Sequence, residues 1–195
     1  MGNHLSVFYF GIAIMELKTR RLLLRPLRDD DAHAMALALN NYEVVKNLSP
    51  VPFPYRMEDA QFFINLQRSF DPRSMVCAIA FRCAPDELIG LVSYKFDDDR
   101  GPPEFGYWLR QCCWRMGIMT EAATALVKYA FETAKVDELH SGFWNPISGK
   151  ILRKIGFEET HQTTIFSVAQ KMDLLATKLR LTREAWLAQQ KSRAA

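Results

Sequence analysis

The chain has 195 residues, of which 49% are hydrophobic and 24% charged, and its formal net charge is +3. This length and composition are typical of a single globular domain with a sizeable core. The small net charge and the lack of a basic stripe argue against a nucleic-acid partner. The four cysteines show no metal-ligand spacing, which predicts reduced thiols in the cytoplasm and no metal site.

An apolar stretch, VFYFGIAIM, occupies residues 7–15. It is too short to span a bilayer, and no basic region of a signal peptide precedes it. The opening MGNHLS fits a myristoylation pattern, but that pattern has low specificity. We therefore expect no membrane partner.

The first regular elements lie between residues 21 and 41. Arg21–Pro26 is predicted to be a strand, closed by a proline that cannot donate to a ladder. The acidic run Asp29–Asp31 favours a helix start, because negative charge there meets the positive end of the helix dipole. We predict a helix that continues to Asn41, with the aspartates as caps rather than metal ligands.

A proline-rich loop and a second helix follow. Leu48–Tyr55 carries three prolines and is predicted to be a loop. Phe53 and Tyr55 either line an acceptor pocket or pack beneath this loop. The helix is predicted over residues 57–70.

The middle of the chain reads as consecutive strands. Residues 75–82 and 88–96 are predicted to form a hairpin across the turn 84–87, and the polar turn 97–103 leads to a strand at 104–109. Alternation gives this last strand two faces: Phe105, Tyr107 and Leu109 on one, and Glu104, Gly106 and Trp108 on the other.

Gly117 precedes a convincing amphipathic helix, which is predicted to begin near Met119 or Thr120 and to reach Phe131. A helix start leaves about four backbone N–H groups without partners, and a glycine lets an anion approach them. The alternative is a plain strand-to-helix turn, because a single glycine is weak evidence of phosphate binding.

The last part of the chain predicts one more strand, a short helix and a hairpin. Residues 138–144 read as the strand, and 145–148 as the cap of a helix over 149–155 that Gly156 ends. The second strand of the final hairpin is predicted at about 171–181.

Five segments together resemble the GNAT N-acetyltransferase superfamily, within it the branch of the ribosomal-protein N-terminal (alanine/serine) acetyltransferases. The most specific is NPISGKILRKIGF at 145–157, which is similar to the family's NxxSxxxxxKxGF signature. The others are TRRLLLRPLRDDDA at 19–32, GYWL at 106–109, WRMGIMTEA at 114–122 and TREAW at 182–186. The resemblance covers roughly residues 16–187.

The resemblance implies an α+β, three-layer α/β/α fold. Its mixed, mostly antiparallel sheet would splay between the fourth and fifth predicted strands, 104–109 and 138–144, and helices would flank it. A single domain is then expected over 15–187, with a loose tail at 188–195. Residues 1–14 would be an N-terminal extension or, alternatively, a segment that packs over an edge strand.

The resemblance also implies acetyl-CoA as co-substrate, with no metal. In the family the loop before the helix holds the pyrophosphate, and the pantetheine arm enters the splay. Only the central glycine of the usual loop is present here, and Arg115 stands where a glycine is common, so it either contacts a phosphate or crowds the loop. The expected acetyl-CoA-binding residues are Trp108, Leu109, Arg110, Arg115, Met116, Gly117, Ile118, Met119, Thr120 and Asn145.

Acetyl transfer to an amine needs a neutral amine and support for the departing thiolate. Glu104 is the candidate general base, with a solvated strand-start glutamate as the alternative. Ser148 is the candidate partner of the CoA sulfur, and it could also serve as a helix cap. Tyr107, with Phe53 and Tyr55, is expected to line the acceptor pocket.

The sequence thus predicts an acetyl-CoA-dependent N-acetyltransferase. It would acetylate a primary amine, at a protein or peptide N-terminus or on a small molecule, by direct transfer through a ternary complex. The alternative is a degenerate acyl-CoA-binding or sensor module. A monomer or a homodimer is expected.

Overall fold

A computed structural model describes residues 16–97 and 101–194 of the chain. The strands are β1 Leu17–Lys18, β2 Leu22–Pro26, β3 Met75–Phe81, β4 Ala84–Lys95, β5 Glu104–Leu109, β6 Glu138–Phe143, β7 Glu158–Ser167 and β8 Met172–Thr182. The α-helices are α1 Asp31–Leu39, α2 Tyr42–Val45, α3 Met57–Leu66, α4 Ile118–Glu132, α5 Pro146–Ile155 and α6 Arg183–Ala194.

The strands form one sheet in the order β1-β2-β3-β4-β5-β6-β8-β7. Neighbours pair antiparallel, except that β5 and β6 are parallel and share the single pair Glu104↔His140. The predicted mixed, mostly antiparallel sheet is confirmed. Its splay lies between β5 and β6, the two strands for which it was predicted.

Each face of the sheet carries a separate apolar core, as the three-layer prediction requires. One core holds the buried side of α4, with Phe131, and Trp186 of α6. The other holds the apolar residues of α1 and α3 and includes Trp108 of β5. Phe105 and Leu109 belong to the first core, so the predicted alternation along β5 is confirmed.

The gap between β5 and β6 widens towards the C-terminal end of β5. At the narrow end the backbone N–H of His140 donates to Pro103 O (3.0 Å), and Ser141 Oγ donates to Phe105 O (2.9 Å). Further along, the strands have separated so far that Tyr107 of β5 reaches the start of α5 instead, where its hydroxyl donates to Ser148 O (3.1 Å).

Several predicted boundaries are wrong. The hairpin turns at residues 82–83 rather than 84–87, and β4 begins at Ala84, with a register irregularity where Ala80 pairs with Leu88 and Phe81 with Ala84. A proline is tolerated in such an irregular stretch, and Pro85 lies there. The predicted loose tail is helical to residue 194, because Trp186 is buried against Phe131 and ties α6 to the first core.

The acidic run at 29–31 begins α1, as predicted, but the N-cap residue Asp30 makes no side-chain capping hydrogen bond. Asp31, the first residue of the helix, makes tertiary contacts instead. Its carboxylate is buried and takes two hydrogen bonds of 2.8 Å from the Arg25 guanidinium, and it also accepts the Arg28 backbone N–H (2.8 Å). Asp31 is therefore one half of a buried ion pair between α1 and β2. The prediction for residues 1–14 lies outside the described residues.

Candidate active site

A cleft of about 820 Å³ opens where β5 and β6 diverge. The predicted site residues that line it are Tyr107, Trp108, Leu109, Arg115, Gly117, Ile118, Met119, Thr120, Asn145 and Ser148. The splay thus brings together the end of β5, the start of α4 and the start of α5. These segments are up to 41 residues apart in the chain.

The start of α4 offers backbone N–H groups to the cleft. Gly117 caps the helix in the left-handed conformation, with φ 71° and ψ 7°. The first helical hydrogen bond runs from Glu121 N to Gly117 O (3.1 Å), which leaves the N–H groups of residues 118–120 without helical partners. Together with the positive end of the helix dipole, these groups suit a phosphate.

Arg115 also adopts a positive φ, of 63°. A non-glycine residue in this conformation costs about 1–2 kcal/mol. The loop therefore has, at Arg115, a backbone conformation that a glycine would adopt freely. Arg115 lines the cleft and adds a cation to the helix start.

The free edge of β5 presents unpaired backbone groups to the gap. Phe105 O faces β6, since it accepts from Ser141. Backbone groups alternate sides along a strand, so those of Tyr107 and Leu109 face the same gap. No strand of the described residues pairs with them there, and only Leu109 O is taken, by Trp114 Nε1 (2.8 Å). An extended ligand with amide groups fits such an edge.

Tyr107 and Ser148 meet across the gap. Burial raises the pKa of the Tyr107 phenol, and the side chain of Ser148 makes a smaller contribution that lowers it. The phenol is consequently a hydrogen-bond donor at neutral pH. Asn145, whose Oδ1 accepts the Ile147 N–H (2.8 Å), caps α5. The hydroxyl of Ser148 is not the cap, and it lies close enough to the Tyr107 phenol to lower the pKa of that phenol.

Glu104 lies at the narrow end of the gap and is not part of the cleft lining. Its Oε1 is 2.9 Å from Lys178 Nζ, and its side chain is 43% exposed. Glu104 shares the face of β5 with Gly106 and Trp108, which is the face opposite α4. It is five residues from Leu109, which is about 17 Å along an extended strand.

A segment around α2 crosses the mouth of the splay; residues 41–49 are called the α2 strap. At one end Asn41 Nδ2 donates to Gln111 Oε1 (2.8 Å), next to the end of β5. At the other end Asn145 Nδ2 donates to Asn47 Oδ1 (2.7 Å), beside β6. The carbonyl of Lys46 accepts from Trp144 Nε1 (3.2 Å) and Gln170 Nε2 (2.8 Å), which strengthens this second attachment.

Four further predicted residues lie outside the cleft. Tyr55 is 6% exposed in the core beneath its loop, where burial raises its pKa to about 12. Phe53 is 39% exposed and packs edge-on against Tyr42. Tyr55 therefore packs beneath the loop, whereas the expectation that Phe53 contacts an acceptor stays a prediction. Arg110 pairs with Glu87, and Met116 is exposed.

The sequence interpretation missed half of the lining. The missed residues are Glu43, Val44, Lys46, Asn47, Leu48, Gln111, Cys113, Trp114, Ile147 and Ile151. The α2 strap had no signal, because it carries no motif and lies more than 55 residues before β5. Ile147 lies inside the recognised 145–157 motif, which could have indicated it.

Cys113 is the one thiol of the described residues in the cleft lining. Burial and the contact with Cys112 raise its pKa to about 11. It is therefore a protonated, weakly nucleophilic thiol at neutral pH.

Two classes of site are not found in the described part of the chain. No group of three or more His, Cys, Asp or Glu side chains there could hold a metal ion. No helix there is long and apolar enough to cross a membrane.

Comparison with known proteins gives matches over most of the chain. Residues 21–158 match the profile of the acetyltransferase (GNAT) domain family. The uncharacterized N-acetyltransferase YoaA of Bacillus subtilis (strain 168) is 26% identical over 151 residues, which cover 73% of this chain and 82% of YoaA.

Solved structures share the fold. An acetyltransferase (GNAT family) from Bacillus anthracis superposes with a TM-score of 0.73 at 20% identity, covering 87% of this chain and 99% of that one. The ribosomal-protein-S5-alanine acetyltransferase from Vibrio fischeri superposes with a TM-score of 0.70 at 15% identity, covering 88% and 98%.

Proposed function

Because the chain belongs to the GNAT acetyltransferase family, which uses acetyl-CoA, we propose that it acetylates a primary amine by direct transfer within a ternary complex. The observation that carries the proposal is the cleft at the splay, with the start of α4 at its wide end and the unpaired edge of β5 along its side. An extended donor can therefore place its phosphates at the start of α4 and its amides along the edge of β5. Its thioester then lies further into the gap.

The pyrophosphate belongs at the wide end. The N–H groups of residues 118–120 and the αL turn at Gly117 form the cradle, and Arg115 adds charge. The pantetheine amides then pair with the backbone of Tyr107 and Leu109. A donor bound in this direction, from the wide end along β5, has its thioester towards the narrow end of the gap.

Ser148 is proposed to support the leaving group. Its hydroxyl stands beside the gap and is not used as the helix cap, so it can donate to the sulfur. As the amine nitrogen bonds to the thioester carbon and the C–S bond breaks, this hydrogen bond stabilises the thiolate until solvent protonates it. Tyr107 holds the backbone of Ser148 in place.

Glu104 is proposed to receive the proton of the amine, directly or through water. It stands at the end of the gap that the thioester reaches, on the face opposite α4, from which an acceptor can approach. Its Oε1 lies 2.9 Å from Lys178 Nζ. Glu43 is the rival carboxylate, because it lines the cleft on the α2 strap, where it pairs with Lys46 (2.8 Å).

Direct transfer is supported by the state of the thiol in the cleft. An acetyl-enzyme intermediate needs an activated nucleophile. Burial holds the pKa of Cys113 near 11, far above neutral pH. The amine is therefore the nucleophile of the proposed reaction.

The acceptor class is proposed as a protein or peptide N-terminus. Its amine has a pKa near 8, against about 10.4 for lysine, so a larger fraction is neutral at physiological pH. The sequence resemblance to the ribosomal-protein branch supports this choice, and the fold shared with the Vibrio fischeri enzyme is compatible with it. A small primary amine is the second acceptor class to be tested.

Release of free CoA thiol, with acetyl-CoA and a panel of peptide N-termini and small amines, tests the proposal. We expect turnover with at least one acceptor and a loss of rate in Ser148→Ala. Calorimetric binding of acetyl-CoA without turnover of any amine would indicate an acyl-CoA-binding module instead. No binding at all would contradict the donor assignment.

A further inference from the structure

A cluster of polar contacts lies behind the loop that precedes α4. The carboxylate of Glu121, in the first turn of α4, accepts from Thr19 Oγ1 (2.6 Å) and from the backbone N–H of Arg21 (2.8 Å). Its second oxygen accepts from Arg21 Nε (2.7 Å). Three hydrogen bonds thus join α4 to the segment before β2, about 100 residues away in the chain.

The same guanidinium reaches the loop itself. Arg21 Nη1 donates to the carbonyl of Met116 (2.9 Å). In a trans peptide the C=O and the following N–H point in opposite directions. The contact therefore directs the N–H of Gly117 away from Arg21. Gly117 lines the cleft and Arg21 does not, so this N–H is turned to the cleft side.

The orientation of this peptide is not secured by local geometry. Gly117, with φ 71° and ψ 7°, has the angles of the third residue of a type II turn. Glycine also tolerates the angles that a flipped peptide would need. A flip would turn the Met116 carbonyl into the anion site, where its negative end would repel phosphate.

Glu121 makes Arg21 a holder of the loop rather than a free cation. Burial would raise the pKa of Glu121, but the hydrogen bonds from Thr19 and Arg21 outweigh it, and the pKa lies below its usual value. Glu121 is therefore ionised at neutral pH, and its charge offsets that of Arg21.

We propose that Arg21, held by Glu121, is a positioning residue for the donor: it fixes the Met116–Gly117 peptide so that the loop receives the pyrophosphate. This inference rests on the proposed function. It assigns a role in acetyl-CoA recognition to two residues outside the cleft.

The test compares two donors and three proteins. Wild type, Arg21→Ala and Arg20→Ala are titrated calorimetrically with acetyl-CoA. The Kd of the phosphate-free analogue S-acetyl-pantetheine is then measured by its displacement of bound acetyl-CoA. Its concentration is raised until wild type is half saturated. Arg20 is the matched control, because it is exposed and makes no hydrogen bond or ion pair within the described residues.

We expect Arg21→Ala to raise the Kd of acetyl-CoA about tenfold, the scale of one charge-assisted hydrogen bond. The Kd of S-acetyl-pantetheine should stay within about twofold of the wild-type value, because this analogue has no phosphate group to contact the loop. Arg21→Lys, which can still donate to Met116 O, should recover part of the loss. Arg20→Ala should bind both donors like wild type.

Two results would overturn the inference alone. Equal affinity of Arg21→Ala and wild type for acetyl-CoA would show that the Met116–Gly117 peptide keeps its orientation without Arg21. An equal loss for both donors would show a general structural defect. Failure of wild type to bind acetyl-CoA would overturn the proposed function as well, before the variants are compared.

Discussion

Two residues of the loop before α4 adopt positive φ angles, and only one of them is a glycine. Arg115 has backbone strain at a position where a glycine would have none, and it lines the cleft near the start of α4. Compared with a glycine at this position, Arg115 makes the loop less flexible and adds a positive charge to it. Gly117 remains where the helix starts.

The first prediction concerns Gly117. A Cβ added there would meet only Arg21 Nη2, at 3.7 Å, so space is not limiting. The positive φ is the constraint, and a β-branched residue tolerates it poorly. Gly117→Val should weaken acetyl-CoA binding at least about tenfold while the circular dichroism spectrum stays native. Gly117→Asn is the control, because asparagine tolerates αL, and it should bind more tightly than Gly117→Val.

Calorimetry measures both variants. An unchanged affinity in Gly117→Val, with a native spectrum, would remove this turn from the phosphate cradle.

The second prediction separates the roles of Glu104 and Ser148 by pH. If Glu104 takes the proton of the amine, Glu104→Gln should lower kcat by about 10²-fold or more near neutral pH. The loss should shrink as pH rises, because more of the acceptor is then already neutral. Ser148→Ala should lower the rate by a factor that changes little with pH, because the thiolate lacks its hydrogen bond at every pH.

Steady-state rates between about pH 6 and pH 9.5, across the amine pKa values, test this with an identified acceptor. Glu43→Gln is the matched control, since it removes the other carboxylate near the gap. A pH-dependent loss in Glu43→Gln together with normal rates in Glu104→Gln would transfer the role of the base to Glu43.

At the scale of elements, the α2 strap connects the two strands that diverge at the splay, β5 and β6. It is anchored to Gln111 beside β5 and to Asn145 beside β6. Val44 of the strap belongs to the core on the α1 face, whereas α4 lies on the other face. The strap lines the same cleft as the start of α4, but from the face of the sheet opposite α4, and this is the face from which we propose that the acceptor approaches.

The third prediction follows from this position. Asn47→Ala removes the hydrogen bond to Asn145 and should raise the KM of the acceptor more than the Kd of acetyl-CoA. A double-mutant cycle with Asn145→Ala should give a coupling energy of about 0.5–1.5 kcal/mol in unfolding. Asn40→Ala, one residue before the strap, is the control. A selective change in acetyl-CoA affinity would contradict the assignment of the strap to the acceptor side.

At the scale of the whole molecule, two cores on opposite faces must be held to one sheet. The buried pair of Arg25 and Asp31 links β2 to α1, and Arg25 also donates to the carbonyls of Pro85 and Asp86 on β4. Removal of one member leaves the other charge buried without compensation.

The fourth prediction is a loss of stability in Asp31→Asn. We expect about 3 kcal/mol or more in the free energy of unfolding, which corresponds to a fall in Tm of about 6–12 °C for a chain of this size. Asp30→Asn is the control, because Asp30 is exposed at the same helix start and makes no capping hydrogen bond. Equal Tm values for the two variants would contradict this role of the pair.

The fifth prediction concerns the extent of the domain. The first described strand is Leu17–Lys18, and the family match begins at residue 21. We propose that a chain starting at Met15 folds and binds acetyl-CoA like the full chain. A large fall in Tm or loss of solubility on removal of residues 1–14 would show that they pack into the domain.

The sequence by itself determined the elements whose signals are local. The apolar period of α4, the alternation along β5 and the motif at 145–157 each lie within about 15 residues. Each predicted its element, and the motif also indicated the family by resemblance. Such signals are readable because helix and strand periods are properties of a short segment. They also predicted the part of the cleft lining at the end of β5 and at the starts of α4 and α5, since the fold places these segments side by side.

Only the tertiary structure decided the contacts between distant segments. The contacts of the α2 strap with Gln111, of Arg21 with Glu121 and of Glu104 with Lys178 each join residues 70 or more positions apart. In α6, Trp186 likewise packs against Phe131 of another helix, far away in the chain. No local period encodes such pairs, because they depend on the register and packing of the whole sheet.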